Sequence, residues 1–176
     1  MRYFFALLSI AVILFTGYLT FQPKSSPTAT RLECQKKQVV FERTYYTTGL
    51  QELLNEVAQT KSGLVTMKGQ KSQYMSSRLF EKIDLEVLHQ YFITEFGIDN
   101  FISPNVKIDI LVYENDKLDP GKKTPKAKMY AGYLVFDFKY KDTLVYKVQI
   151  DFMKNDGSDI KEKIDCAIES IKTLND

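Results

Sequence analysis

The side chains best suited to acid–base or nucleophilic chemistry near neutral pH are a single histidine, His89, and two cysteines, Cys34 and Cys166, in a chain of 176 residues. His89 falls about 40° from Leu85 on a predicted helix, inside its apolar stripe, where a packed ring is expected rather than a catalytic one. The two cysteines stand 132 positions apart, and neither belongs to a C-x-x-C pair. With one histidine they offer no spacing for zinc. An isolated pair suits one structural disulfide, the alternative being two unrelated thiols. On the closing helix Ile160, Ile164, Ala167, Ile168, Ile171 and Leu174 make one stripe, and Cys166 lies about 120° from its centre, where a core cysteine would not sit. Cys34 sits just ahead of the first predicted strand, so the entry segment can run along the flank of that helix. A Cys34–Cys166 disulfide is therefore expected, and in an oxidising compartment a loop of that length contributes about 5 kcal/mol in the chain-entropy model.

Two acidic clusters, Glu114-Asn115-Asp116-Lys117-Leu118-Asp119 and Asn155-Asp156-Gly157-Ser158-Asp159, carry oxygen ligands for a hard cation. Neither has the alternating ligands, central glycine and terminal glutamate of a calcium loop, so turn and cap chemistry is expected of both. Gly121-Lys122-Lys123-Thr124 resembles the end of a phosphate loop but lacks the earlier glycine and a following helix, which excludes nucleotide binding by that route. No catalytic, cofactor or metal site is expected. In the same loop Lys122, Lys123, Lys126 and Lys128 form a candidate contact for anionic lipid or an anionic polymer, with solubility and edge protection as the structural alternative. Met129 to Val135 is apolar on both faces, which makes the sheet there a candidate protein-interaction surface.

The elements that must position these residues follow from periodicity. Gln38 to Tyr46 alternates as a strand, with Val39, Phe41 and Tyr45 against Glu42 and Thr44. A helix then begins, with Thr48 and Gln51 as a capping box and Leu50, Leu53, Leu54 and Val57 on one face. Leu64 to Met75 is ambiguous, with Leu64 to Met67 a short strand candidate. Asp84 caps a second helix, striped by Leu85, Leu88, Phe92 and Phe96, and Gly97 closes it. Three strands follow, Val106 to Tyr113, Met129 to Tyr140 and Leu144 to Met153, the last two joined around Lys141-Asp142-Thr143. Asp159 and Glu162 cap the final helix. The expected fold is α+β, with order β-α-α-β-β-β-α and a mainly antiparallel sheet of about four strands covered by helices on one face.

Ahead of this domain, an apolar run from Tyr3 to Phe21 is long enough to cross a bilayer as a helix. It exceeds the usual signal-peptide core and ends on Tyr18, Leu19, Thr20, Phe21 and Gln22 without small residues at cleavage spacing. Cys34 follows Glu33, which does not suit a lipoprotein signal, and no acidic residue precedes Glu33 as a pilin leader requires. The expected organisation is a membrane anchor over 1–22, a polar linker over 23–37 and an external domain over 38–176, in the inner (plasma) membrane with a single pass. Charge is nearly balanced, with 24 Lys and Arg against 22 Asp and Glu, so nucleic acid is not an evident partner. The expected function is a non-catalytic envelope protein that binds or scaffolds other envelope components. The rivals are a small hydrolase or thiol-redox enzyme using Cys34, Cys166 or His89, and a secreted ligand-binding domain after signal cleavage.

Overall fold

A computed structural model of the chain describes residues 28–101 and 105–174. The expected anchor over 3–21 lies outside the described residues, and no helix among those described is long and apolar enough to cross a membrane. The framework is one five-stranded sheet: β1 (Val40–Thr44), β2 (Leu64–Gln70), β3 (Val106–Glu114), β4 (Gly132–Tyr140) and β5 (Thr143–Phe152), in the spatial order β1-β5-β4-β3-β2. Apolar residues at every second position put one side chain in two on the same face. In β3 Val106, Ile108, Ile110 and Val112 are buried while the residues between them are half-exposed. Pairing keeps that face in register, with Val112 opposite Leu134 and Leu134 opposite Ile150, and Ile110 opposite Phe136 and Phe136 opposite Val148.

Three helices pack on this buried face: α2 (Thr47–Thr60) on β3, β4 and β5, α3 (Leu85–Phe96) on β2, and α4 (Ile160–Lys172) on β4 and β5. Ring contacts bridge the layers, with Phe92 and Phe136 at 5.7 Å between centroids and Phe96 and Phe138 at 5.7 Å, while Phe138 meets Tyr146 across the sheet at 5.8 Å. The hairpin between β4 and β5 turns on Lys141 and Asp142, both at positive φ, which is the backbone a two-residue turn needs to match strand twist.

The mixed α+β class holds, and the sheet has five strands where about four were expected. The additional strand is β2, parallel to β3, with α3 making the crossover that parallel pairing demands. Its burial is poor, with only Val65 buried in seven residues, so periodicity alone left it ambiguous. Asp84 caps α3 as expected, its carboxylate accepting from the N–H groups of Glu86 at 2.8 Å and Val87 at 3.4 Å, and Gly97 ends the helix at φ 92°. Two other caps differ. α2 starts at Thr47 behind Tyr46, which puts Thr48 inside the first turn, and no side chain caps it. Asp159 precedes α4 without capping it, because its carboxylate accepts instead from the N–H groups of Met153 at 2.8 Å and Lys154 at 3.3 Å, pinning the end of β5.

The stretch before β1 is folded onto the domain. Its short helix α1 (Glu33–Lys36) carries Cys34, which is disulfide-bonded to Cys166 with a Cα–Cα separation of 5.8 Å. α4 is therefore buried on two sides, the apolar stripe against the sheet and Cys166 with Ser170 under the entry segment. Around the disulfide, Glu42 of β1 collects four donors: Arg31 Nε at 2.8 Å and Nη2 at 3.2 Å, Gln35 Nε2 at 3.2 Å and the Tyr146 hydroxyl at 2.6 Å. Arg31 also donates to Thr173 Oγ1 at 2.6 Å and to the Ser170 carbonyl. Burial and the bond to Glu42 push the Tyr146 phenol up from its usual value. Replacing both cysteines by alanine is expected to lower unfolding free energy by about 2–5 kcal/mol, measured by denaturant titration, with near-native far-UV circular dichroism.

Candidate functional site

The face of the sheet opposite the helices carries the residues between the core positions, and strand register sets them in rows. One row runs Tyr113, Tyr133, Asp151 across β3, β4 and β5; the next runs Lys68, Leu111, Val135, Gln149, Phe41 from β2 to β1; a third runs Thr66, Asp109, Asp137, Lys147, Arg43. The third row is closed by charge. Lys139 Nζ and Thr66 Oγ1 each donate to Asp109 at 2.6 Å, and these bonds hold its carboxyl below the usual range, while Lys147 pairs with Asp137 at 3.0 Å. The middle row is apolar at its centre. Together they line a shallow cavity of about 490 Å³ over Leu111, Tyr133 and Val135.

At the end of this face a second cavity of about 210 Å³ lies among Tyr113, Tyr130, Tyr133, Gln149, Asp151 and Lys122. The Tyr113 and Tyr133 rings stack at 4.4 Å. Asp151 is only 6% exposed, and among the described residues its carboxylate accepts a single hydrogen bond, from Gln149 Nε2 at 3.3 Å. Burial pushes the Asp151 carboxyl up and Gln149 offsets part of that. Tyr130 and Tyr133 are raised too, by burial first and by the nearby Asp151 charge as well.

The expected lysine patch is split. Lys122 folds inward, donating to Asn115 Oδ1 and standing 5.5 Å over the Tyr113 ring, whereas Lys123 and Lys128 are exposed; the side chain of Lys126 lies outside the described residues. Asn115 is the post around which that loop turns, donating through Nδ2 to the carbonyls of Ala127 at 3.1 Å and Tyr130 at 2.8 Å.

The first acidic cluster is structural. Glu114 accepts from the N–H groups of Ser72 at 3.2 Å, Arg78 at 2.8 Å and Leu79 at 3.0 Å, and Asp116 from those of Gln73 at 2.6 Å and Tyr74 at 2.5 Å. These bonds tie the segment between β2 and α3 to the end of β3. A cavity of about 540 Å³ beside Tyr74, Met75 and Arg78 opens there, but its carboxylate is consumed by the backbone. In the second cluster Asp156 accepts from Ser158 N–H at 3.0 Å, and Gly157 takes φ 70°, with no room for a Cβ beside Ile83.

His89 Nε2 lies 3.1 Å from the Val65 carbonyl, which can only accept, so that nitrogen carries the proton. The ring sits at the edge of α3 against β2, with Cys34 and Cys166 joined elsewhere. No group of three or more His, Cys, Asp or Glu that could hold a metal occurs among the described residues. Sequence reasoning pointed to Tyr130, Tyr133 and Val135 as apolar surface and passed over Asp151, Gln149 and Tyr113. Alternation along β5 carried a signal, since Lys147, Gln149 and Asp151 share its polar face, but their neighbours belong to other strands. Comparison of the chain with protein-family models, with curated proteins and with solved structures returns no match, and the site stands on its own geometry.

Two carboxylates respond to acid in opposite senses. Burial of Glu114 favours its neutral form, but the donors around it outweigh this and bring its carboxyl from 4.5 to about 2. Its contribution is present above the unfolded value and is lost as pH falls toward 2, so acid unfolding over that window should flatten in Glu114→Gln. At neutral pH that variant should be less stable by about 1–3 kcal/mol, because an amide oxygen serves buried donors less well. Asp151, raised by burial, costs stability once pH exceeds its unfolded value. Asp151→Asn should therefore stabilise the domain at pH 7 by about 0.5–2 kcal/mol, with the gain vanishing in acid; both are read from denaturant midpoints across pH.

Proposed function

We propose that the chain is a non-catalytic binding protein, tethered to a membrane through residues 3–21, whose domain stands outside the cytoplasm and holds another envelope protein on the open face of its sheet. The observation that supports this reading is the asymmetry of the sheet. Three helices cover one face, while Leu111, Tyr133 and Val135 lie half-exposed in a shallow cavity on the other. An apolar centre of aromatic and branched side chains inside a charged border is the anatomy of a protein-binding patch. Asp109, Lys139, Asp137 and Lys147 supply the border, and their pairing within the chain limits the desolvation that docking would cost. Lys123 and Lys128 extend it with positive charge, which would steer the face toward an acidic surface.

Photo-crosslinking in intact cells tests this. A photo-reactive residue in place of Val135 should yield a discrete adduct, and one in place of Val87, which is 52% exposed on the helical side, should not. The full-length chain should remain in the membrane pellet after alkaline carbonate extraction. Adducts of equal yield at both positions, none at 135, or a shortened soluble form would overturn the proposal.

A further inference from the structure

The end of the open face holds a buried acid that makes no ion pair among the described residues. Asp151 is more than nine-tenths buried, no Lys or Arg among the described residues pairs with it, and its one donor, Gln149 Nε2, is neutral and 3.3 Å away. A buried carboxylate in that state costs free energy, which a cation delivered to the site would recover. Everything around it suits a cation. The rings of Tyr113, Tyr130 and Tyr133 line the same cavity, and aromatic faces attract ammonium groups, more strongly where water is excluded. The cavity, about 210 Å³, is several times the roughly 30 Å³ that one water occupies in the liquid. One ammonium group already leans in: Lys122 Nζ, over Tyr113 and bonded to Asn115.

We infer that Asp151, Tyr113, Tyr130 and Tyr133 form a binding site for an organic ammonium group, which Lys122 partly occupies as a tethered stand-in. This rests on the reading of the open face as a binding surface and names the chemistry of what it takes there. The ammonium of a small free amine and that of a lysine side chain on a partner share this chemistry. In either case the group enters the cavity beside the stacked Tyr113–Tyr133 pair, faces the carboxylate and competes with Lys122. The Asp151 carboxylate supplies charge, the rings supply the faces, and Gln149 orients the carboxylate.

The test is amide-resolved NMR titration of the full chain in detergent micelles with n-butylammonium chloride and with the peptide acetyl-Gly-Lys-Gly-amide, against sodium chloride at matched ionic strength. Saturable shifts confined to the amides around Tyr130, Tyr133, Gln149 and Asp151 are expected. Asp151→Asn, which should fold at least as well, is expected to weaken binding tenfold or more. Lys122→Gln is expected to strengthen it several-fold, a gain that a merely disruptive change would not produce. Tighter binding of the peptide assigns the amine to a polypeptide, and tighter binding of butylammonium to a small molecule. Absence of saturable shifts in both the parent and Lys122→Gln overturns the site, as does binding by Asp151→Asn equal to that of the parent. Adducts at Val135 that persist when ammonium binding fails would leave the docking face standing and remove only this site, whereas ammonium binding without such adducts would do the reverse.

Discussion

Three helices are enough to cover one face of a five-stranded sheet and not two, and this limit shapes the rest of the molecule. Fully burying a large apolar side chain is worth about 1.5–3 kcal/mol. Val106, Ile108, Leu134, Phe136, Phe138, Val148, Ile150 and Phe152 all fall on the covered side at essentially zero exposure. A slip of one residue in any strand would exchange the two faces, so the same burial that builds the core holds the uncovered rows in place. Tyr113, Tyr133 and Asp151 are brought into line by this pairing, although 38 positions separate the first from the last. The geometry of the open face is thus a by-product of the core's register.

Local signals were legible in the sequence. Asp84 and Gly97 bound α3 because caps act within a few residues, and the β4–β5 hairpin declares itself through its alternation and short turn. The disulfide was reachable because α4 is regular enough to place Cys166 off the apolar stripe, and the entry segment does cover that flank. β2 was obscure because an edge strand with one buried residue takes its identity from its partner, and Leu64 pairs with Lys107 far along the chain. The Asp159 cap is missed for a related reason, since a tertiary contact claims its carboxylate, while α2 starts behind Tyr46, two positions before Thr48. Asp151 was invisible because nothing near it in sequence says that it is buried. That follows from Tyr130, Tyr133 and the loop carrying Lys122 closing around it.

The carboxylates divide accordingly. Glu114 takes four donors from Ser72, Arg78 and Leu79, Glu42 four from Arg31, Gln35 and Tyr146, and Asp116 three from Gln73, Tyr74 and Leu118, so each joins segments distant in sequence. Asp151 is the contrast, because it is buried and under-supplied. Groups held at a cost to the fold concentrate where a protein meets something else. The asymmetry between well-supplied and under-supplied acids marks the open face more clearly than its hydrophobicity does.

The bond between Cys34 and Cys166 also decides how the domain carries mechanical load. An edge strand pulled from its end peels, its backbone hydrogen bonds failing one after another, and β1 with five residues would be the first element to go. Cys34 lies ahead of that strand and is joined covalently to the middle of α4, which is packed on β4 and β5. Tension arriving through the residues before Cys34 is therefore handed to the helix layer, and β1 sits slack behind the crosslink.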